Sequence, residues 1–237
     1  MKKSLPIDLA IVNCINQEEA IKTLDFCNRF FNFNNSFLFS NLNPYKNENT
    51  FIEIEKIKNI SEYNNFMLKI GDFIQSDFLL VVQDDGHFVN PNNWTDDFLY
   101  YDYIGAPWPN SFKWNKRWKG SNRDLIISNL KDNRVGNGGF SLRSKKFLEY
   151  SSEFNSCEEY AEDIFLCVLN YQKALKKDIK FAPFELALKF SYEVPLTGLR
   201  KNKEKKNENF NQDDHFGWHG KRFKNSEELL KLKYSES

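Results

Sequence analysis

The sequence is short of histidine, has no closely spaced cysteines, no long apolar run and no net charge. Each shortage closes off a class of function. The four cysteines are Cys14, Cys27, Cys157 and Cys167. None forms a CxxC pair, so neither a zinc site nor a redox motif is indicated. Each reads as a small core residue in a reducing cytoplasm. Thirty-three basic side chains balance 33 acidic ones, which argues against a chain-wide nucleic-acid footprint. No segment approaches the ~20 apolar residues of a membrane span. The start, MKKSLPIDLAIVNC, mimics a signal peptide for a few residues. Pro6 and Asp8 interrupt it and no small-residue cleavage site follows. A cytoplasmic protein is the expectation.

What is present suits a globular chain with a sizeable core. Hydrophobic residues make up 41% and charged residues 28% of 237, ordinary values for a soluble domain. Ile7 to Val12 reads as a first strand and Glu18 to Phe31 as a helix, with Ala20, Leu24, Cys27 and Phe31 at helical spacing. Short strands follow at Ser36 to Phe39 and from Phe51, with a loop between them, then a helix over Asn65 to Ile74. Strands alternating with helices predict an α/β fold, with a mostly parallel, Rossmann-like sheet flanked by helices. Residues 1–237 are taken as a single domain. Asn93 to Leu99 reads as a short helix. Trp108 to Arg134 has no clean period and reads as a long loop, and Lys180 to Glu193 as mostly extended. Ser156 and Glu159 match a capping box that would open a helix at Cys157. Leu199 to Asp214 is polar and charged and reads as a flexible loop. A C-terminal helix is expected over Glu227 to Leu232.

The chain is organised around FLLVVQDDGH, Phe78 to His87. Its unbroken apolar run predicts a strand with both faces covered. The run ends in Gln83, Asp84, Asp85 and Gly86, at the edge where open α/β sheets bind ligands. Two carboxylates there repel each other, and a hard divalent cation with oxygen ligands would relieve the repulsion. A solvated turn is the plain alternative. Asn137, Gly138 and Gly139 imply close ligand approach or a tight hairpin. Glu162 and Asp163 read either as acids at a helix start or as a general base on a rigid element. The sequence does not say which of the two faces a site. His215 and His219, two of the chain's three histidines, fall within one five-residue stretch after the polar loop. His87 is a weaker metal candidate. The stretch Lys113 to Arg123, with Trp114 and Trp118, suits an anionic donor or a sugar face, or single-stranded nucleic acid. Zero net charge counts against the last.

Taken in order, QDDG, YDYIGAPW (101–108), VGNGGFSLRS, EDIF, ALKFSYE and HFGWHG closely resemble a family of bacterial, fungal and viral glycosyltransferase-like proteins of unassigned function. The resemblance covers roughly residues 60 to 220. More distantly, the succession is similar to inverting GT-A glycosyltransferases such as the β-1,3-galactosyltransferases. That resemblance implies a GT-A-like fold, with Asp85 holding Mn²⁺ or Mg²⁺ and His215 or His219 completing the metal shell. It also implies donor and acceptor contacts at Gln83, Asp84, Trp108, Asn137, Gly138, Gly139 and Phe140, and a base at Asp163 or Glu162. Gln83 departs from the DxD pattern, which has an acid there. The implied partners are a nucleotide-sugar donor and a glycan or other hydroxyl acceptor, with no nucleic acid and no membrane span. The expected function is metal-dependent sugar transfer of the inverting kind that those enzymes perform. A non-catalytic nucleotide- or carbohydrate-binding module is the alternative.

Overall fold

The computed structural model describes residues 2–43, 51–108, 123–194, 196, 211–220 and 226–234. Strand β1 (Asp8–Val12) leads into helix α1 (Gln17–Phe30), which Asn16 caps by accepting from the Glu19 N–H. Strands β2 (Asn35–Ser40) and β3 (Phe51–Glu53) follow. Asn59 then caps helix α2 (Ile60–Lys69), which tightens into a 3₁₀ turn at Ile70–Phe73. Next come β4 (Phe78–Val82), β5 (Gly86–Phe88), two 3₁₀ turns in place of the expected helix near Asn93, and β6 (Tyr103–Gly105). Helix α3 (Arg123–Asp132), β7 (Phe140–Ser144) and α4 (Lys145–Ser152) complete the central layer.

The six-stranded sheet runs β3-β2-β1-β4-β7-β6. The pairs from β3 to β4 are parallel, and β7 runs antiparallel to both of its neighbours. The fold is therefore α/β with a mostly parallel sheet. Alternation explains the apolar runs. Leu9, Ile11, Leu80 and Val82 face one core that includes Ala20 and Leu24 of α1. Ala10, Val12, Leu79 and Val81 face a second that includes Met67 of α2 and Leu148 of α4. Both faces are covered, so polar alternation is absent.

After β7 the chain departs from the expected capping box. The Ser156 hydroxyl accepts from the Glu158 N–H in a local turn, and Glu158 takes φ 54°. Helical structure starts only at Glu162–Ile164, continues as a π turn over Phe165–Leu169, and resumes as α5 (Tyr171–Lys176). The π turn frees carbonyls. The Asn129 amide donates to Val168 O at 2.7 Å and the Asn133 amide to Cys167 O at 2.9 Å. Both asparagines come from the α3 region, which the sequence reading leaves as loop. Its inward stripe at 126, 129, 130 and 133 is half asparagine, so apolar periodicity does not reveal it. Helix α6 (Phe184–Phe190) likewise replaces expected extended chain. Pro183 precedes its first residue and Ala187 and Phe190 are buried.

A second, three-stranded sheet contains β8 (Ser191–Tyr192), β9 (Gly217–His219) and β5, in that order with β9 between. Helix α7 (Ser226–Lys231) and a 3₁₀ turn, Leu232–Tyr234, follow. The basic aromatic stretch lies outside the described residues from Lys113 as far as 122, and so do positions 199–210 of the polar loop. Its end, Gln212–Asp214, is a 3₁₀ turn. No helix among the described residues is long and apolar enough to cross a membrane.

Candidate active site

Chain order reverses between β1 and β4: β2 and β3 lie to one side of β1, and β4 to the other. Such a switch point opens a crevice at the carboxyl ends of the two strands. A cavity of about 420 Å³ sits there, lined by residues that include Val12, Asn13, Asn59, Tyr63, Gln83 and Asp84. Asn13 and Asn59 were not singled out in the sequence. The available signals are that Asn13 is the first polar residue after the apolar Leu9–Val12 run and that Asn59 caps α2.

At the end of β4 the chain turns sharply, with the Gly86 N–H donating to Gln83 O at 3.0 Å. β9 pairs antiparallel with β5 and places His219 opposite Gly86. A side chain at Gly86 would meet Trp218 O at 2.7 Å, so the strands close only on glycine. The Gly220 N–H donates to Asp85 O at 2.9 Å. His219 Nε2 thereby faces Asp85 Oδ1 at 3.1 Å and Gln83 Oε1 at 2.9 Å. The Gln83 amide N–H bonds Tyr63 Oη at 2.9 Å, which fixes the way the amide points. Among the described residues His219 Nδ1 has no hydrogen-bond partner. Burial lowers the His219 pKa, but the Asp85 carboxylate, with Glu193 and Asp163 beyond it, outweighs that and raises it.

Three donor atoms thus converge. Both contacts are hydrogen-bond distances to one ring nitrogen, so the imidazole must be free of its Nε2 proton before it could serve as a ligand beside Asp85 and Gln83. Two of the atoms are charged or imidazole donors and one is a neutral amide. No group of three or more His, Cys, Asp or Glu stands at metal-holding distance among the described residues. A carboxylate, an amide oxygen and an imidazole are each donor types that a divalent cation accepts.

Across the glycine turn stands the acid pair. The Gly138 N–H donates to Asp163 Oδ2 at 3.1 Å, and the Ile164 N–H to Oδ1 at 2.7 Å. Burial, reinforced by the Glu162 and Glu193 charges, raises Asp163 to about 7 against those two bonds. Glu162 also borders the turn, its Oε2 3.3 Å from where a Cβ at Gly138 would lie, but it is paired. Arg143 Nη1 meets its Oε1 at 2.7 Å and Nη2 its Oε2 at 3.4 Å, with both side chains at most 4% exposed. Arg143 Nε also donates to Ser141 Oγ, which donates to Gly138 O, each at 3.1 Å. The structure thus separates two acids that the sequence leaves equivalent. Glu162 is neutralised by a buried guanidinium, while Asp163 accepts, among the described residues, only from two backbone N–H groups.

A family model described as "Protein of unknown function (DUF5672)" matches residues 46–224. The chain belongs to this family. No curated protein matches. Among solved structures, the galactosyltransferase LgtC in complex with donor and acceptor sugar analogues is 15% identical, covering 90% of this chain and 86% of that one at a TM-score of 0.45. The apo-form glycosyltransferase GlyE of Streptococcus pneumoniae TIGR4 is 13% identical, covering 100% and 61% at 0.44. The bifunctional IspDF of Campylobacter jejuni is 10% identical at 0.46, covering 74% of this chain, which spans about half (48%) of that one. These likenesses are too remote to carry a function over.

The DUF5672 segment holds Gln83, Asp84, Asp85, the glycine turn, Asp163 and His219. The structure places the remaining expected residues elsewhere. His215 is buried at the far end of the β9 segment, its Nδ1 2.5 Å from Leu188 O and its ring against Tyr192. Four residue steps of extended chain, roughly 13 Å, part it from His219, so it does not join Asp85. Trp108 is 3% exposed, and a side chain at Gly136 would strike its ring and Cys167. Phe140 is fully buried against Phe88, Phe190 and Phe216. Both shape the core behind the glycine turn. Asn137 accepts from the Gly139 N–H at 3.1 Å and so shapes the turn itself. His87 lies behind the acidic turn, bonded to backbone carbonyls of Phe88 and Leu229.

Gly139 gives a direct test. A Cβ there would lie 2.2 Å from His219 Nε2. Gly139→Ala is expected to push the ring off Asp85, returning the His219 pKa toward 6.5 in an NMR pH titration. An unchanged titration would mean that the ring is not held there.

Proposed function

We propose that this chain is a glycosyltransferase of GT-A-like fold. It would move a sugar from a nucleotide-sugar donor to an acceptor hydroxyl, with inversion and with the help of a divalent cation. One observation carries the reading: Asp85, Gln83 and His219 converge on one side of the Gly138–Gly139 turn while Asp163, raised to about 7, stands on the other. A base with a pKa near the working pH both holds its charge and accepts a proton. Asp163 would take the acceptor hydroxyl proton as the oxygen attacks the anomeric carbon. Two backbone N–H bonds would keep the carboxylate aimed. The cavity at the ends of β1 and β4 would seat the nucleoside. When bound at Asp85, Gln83 and His219, Mn²⁺ or Mg²⁺ supplies positive charge against the leaving diphosphate.

The competing reading is a nucleotide- or carbohydrate-binding module without turnover. Gln83 favours it, since an amide stands where the resembled enzymes have an acid. A nucleotide-sugar panel with and without Mn²⁺, read first by melting temperature and then by turnover, separates the two. Asp85→Asn is expected to abolish the Mn²⁺-dependent rise in melting temperature with a nucleotide diphosphate. The same rise in the variant would overturn the metal assignment. Binding without turnover across the panel would favour the module.

A further inference from the structure

The acidic turn is held from behind by the C-terminal segment, which lies outside the DUF5672 match. Lys233 is 2% exposed at its side chain, although it stands in the last described turn. Its ammonium group meets Asp84 O at 2.7 Å, Glu19 Oε2 at 2.9 Å and Thr23 Oγ1 at 3.3 Å. An ammonium has three donors, and all three are spent. Glu19 in turn receives the Tyr234 hydroxyl and the Lys22 ammonium. Four residues earlier, Leu229 O meets His87 Nε2 at 2.9 Å, and Leu229 packs on Trp218, next to His219. The segment therefore grips the turn on the side of Asp84, and both strands that bring Asp85 and His219 together.

A buried lysine is rare, and packed apolar side chains serve stability as well or better. What a methyl group cannot do is hold the carbonyl between Asp84 and Asp85 at a fixed place. We infer that the 226–234 segment is a clasp that fixes the acidic turn for its ligand, and that Lys233 is its positioning residue. The clasp stands on these contacts alone. Its effect on a cation and a nucleotide diphosphate rests on the function proposed above.

Two measurements on the full chain test it, both well below the melting temperature. One is amide hydrogen exchange over 83–88. The other is the affinity for Mn²⁺ with a nucleoside diphosphate as the probe. The variants are Lys233→Met and, because Lys233→Met leaves the Glu19 carboxylate with Lys22 and Tyr234 as its remaining partners, Glu19→Gln/Lys233→Met, which removes both charges. In each folded variant, exchange over 83–88 should accelerate and the probe affinity should fall by roughly 10–100-fold, the worth of one hydrogen bond to a charged group. Exchange in β1 and β2 should not change. A lower melting temperature with native exchange at 83–88 and native affinity would overturn the inference and leave Lys233 a stabilising residue only. If the native chain binds no Mn²⁺, the metal reading fails. Exchange over 83–88 then decides the clasp by itself, and unchanged exchange overturns it.

Discussion

Asp163→Asn is expected to cut turnover by roughly 10²–10⁴-fold without lowering the melting temperature at pH 8. The two halves of this result have one cause. Burial and the Glu162 and Glu193 charges raise the Asp163 carboxyl from 3.8 to about 7. The unfolded chain therefore ionises this group near pH 3.8 and the folded chain only near 7. Asp163's contribution to stability is greatest below 3.8 and declines as pH rises to about 7. Above 7 the folded protein carries the full cost of a buried charge. The amide removes that cost at pH 8 and removes nothing at pH 4, where only the lost N–H bond is felt. The variant should gain in melting temperature, relative to the native chain, as pH climbs from 4 to 8. An acid that merely complements a helix terminus behaves in the opposite way, and its loss costs about 0.3–1 kcal/mol. In the native chain, turnover should fall about tenfold per pH unit below 7, because the base must be ionised. A flat rate between pH 5 and 8, or full turnover in the variant, would remove Asp163 from the chemistry.

The largest expected loss of stability belongs to Arg143→Met. It leaves Glu162 charged and buried with no counter-ion, a change worth about 3–5 kcal/mol. For a chain of this size each kcal/mol moves the melting temperature by roughly 2–4 °C. Arg143→Met/Glu162→Gln should recover most of the loss, since a buried ion pair is often no better than its neutral replacement. Glu162→Gln alone, assayed well below its melting temperature, should keep turnover. That last outcome matters most for the assignment. If Glu162→Gln is folded and inactive while Asp163→Asn is active, the roles of the two acids are exchanged.

The strands of the sheet were legible because burial on both faces leaves a signal in composition. Phe78 to Val82 could be read without knowing its neighbours. The acidic turn and the glycine turn were legible as motifs, since turns demand particular residues. The choice between Glu162 and Asp163 was not legible. It depends on Arg143, 19 residues away, and on the direction of one short turn. The meeting of His219 rather than His215 with Asp85 depends on the register of β9 against β5, two strands far apart in sequence whose pairing no local pattern encodes. Helix α3 was missed because its buried face carries Asn129 and Asn133, and α6 because its phenylalanines read equally well as strand.

The π turn at Phe165–Leu169 has a consequence for how this site can change over time. A π turn holds one residue more than the helix around it, and each helical residue turns the chain by about 100°. The acids at 162 and 163 and the core contact of Ala174 therefore keep separate phases on what is nearly one helix. Removing the extra residue would swing one set out of place while the other stayed. Substitutions beyond the turn can thus alter α5 without rotating the acids, and the carboxylate can be retuned without unpacking the helix behind it.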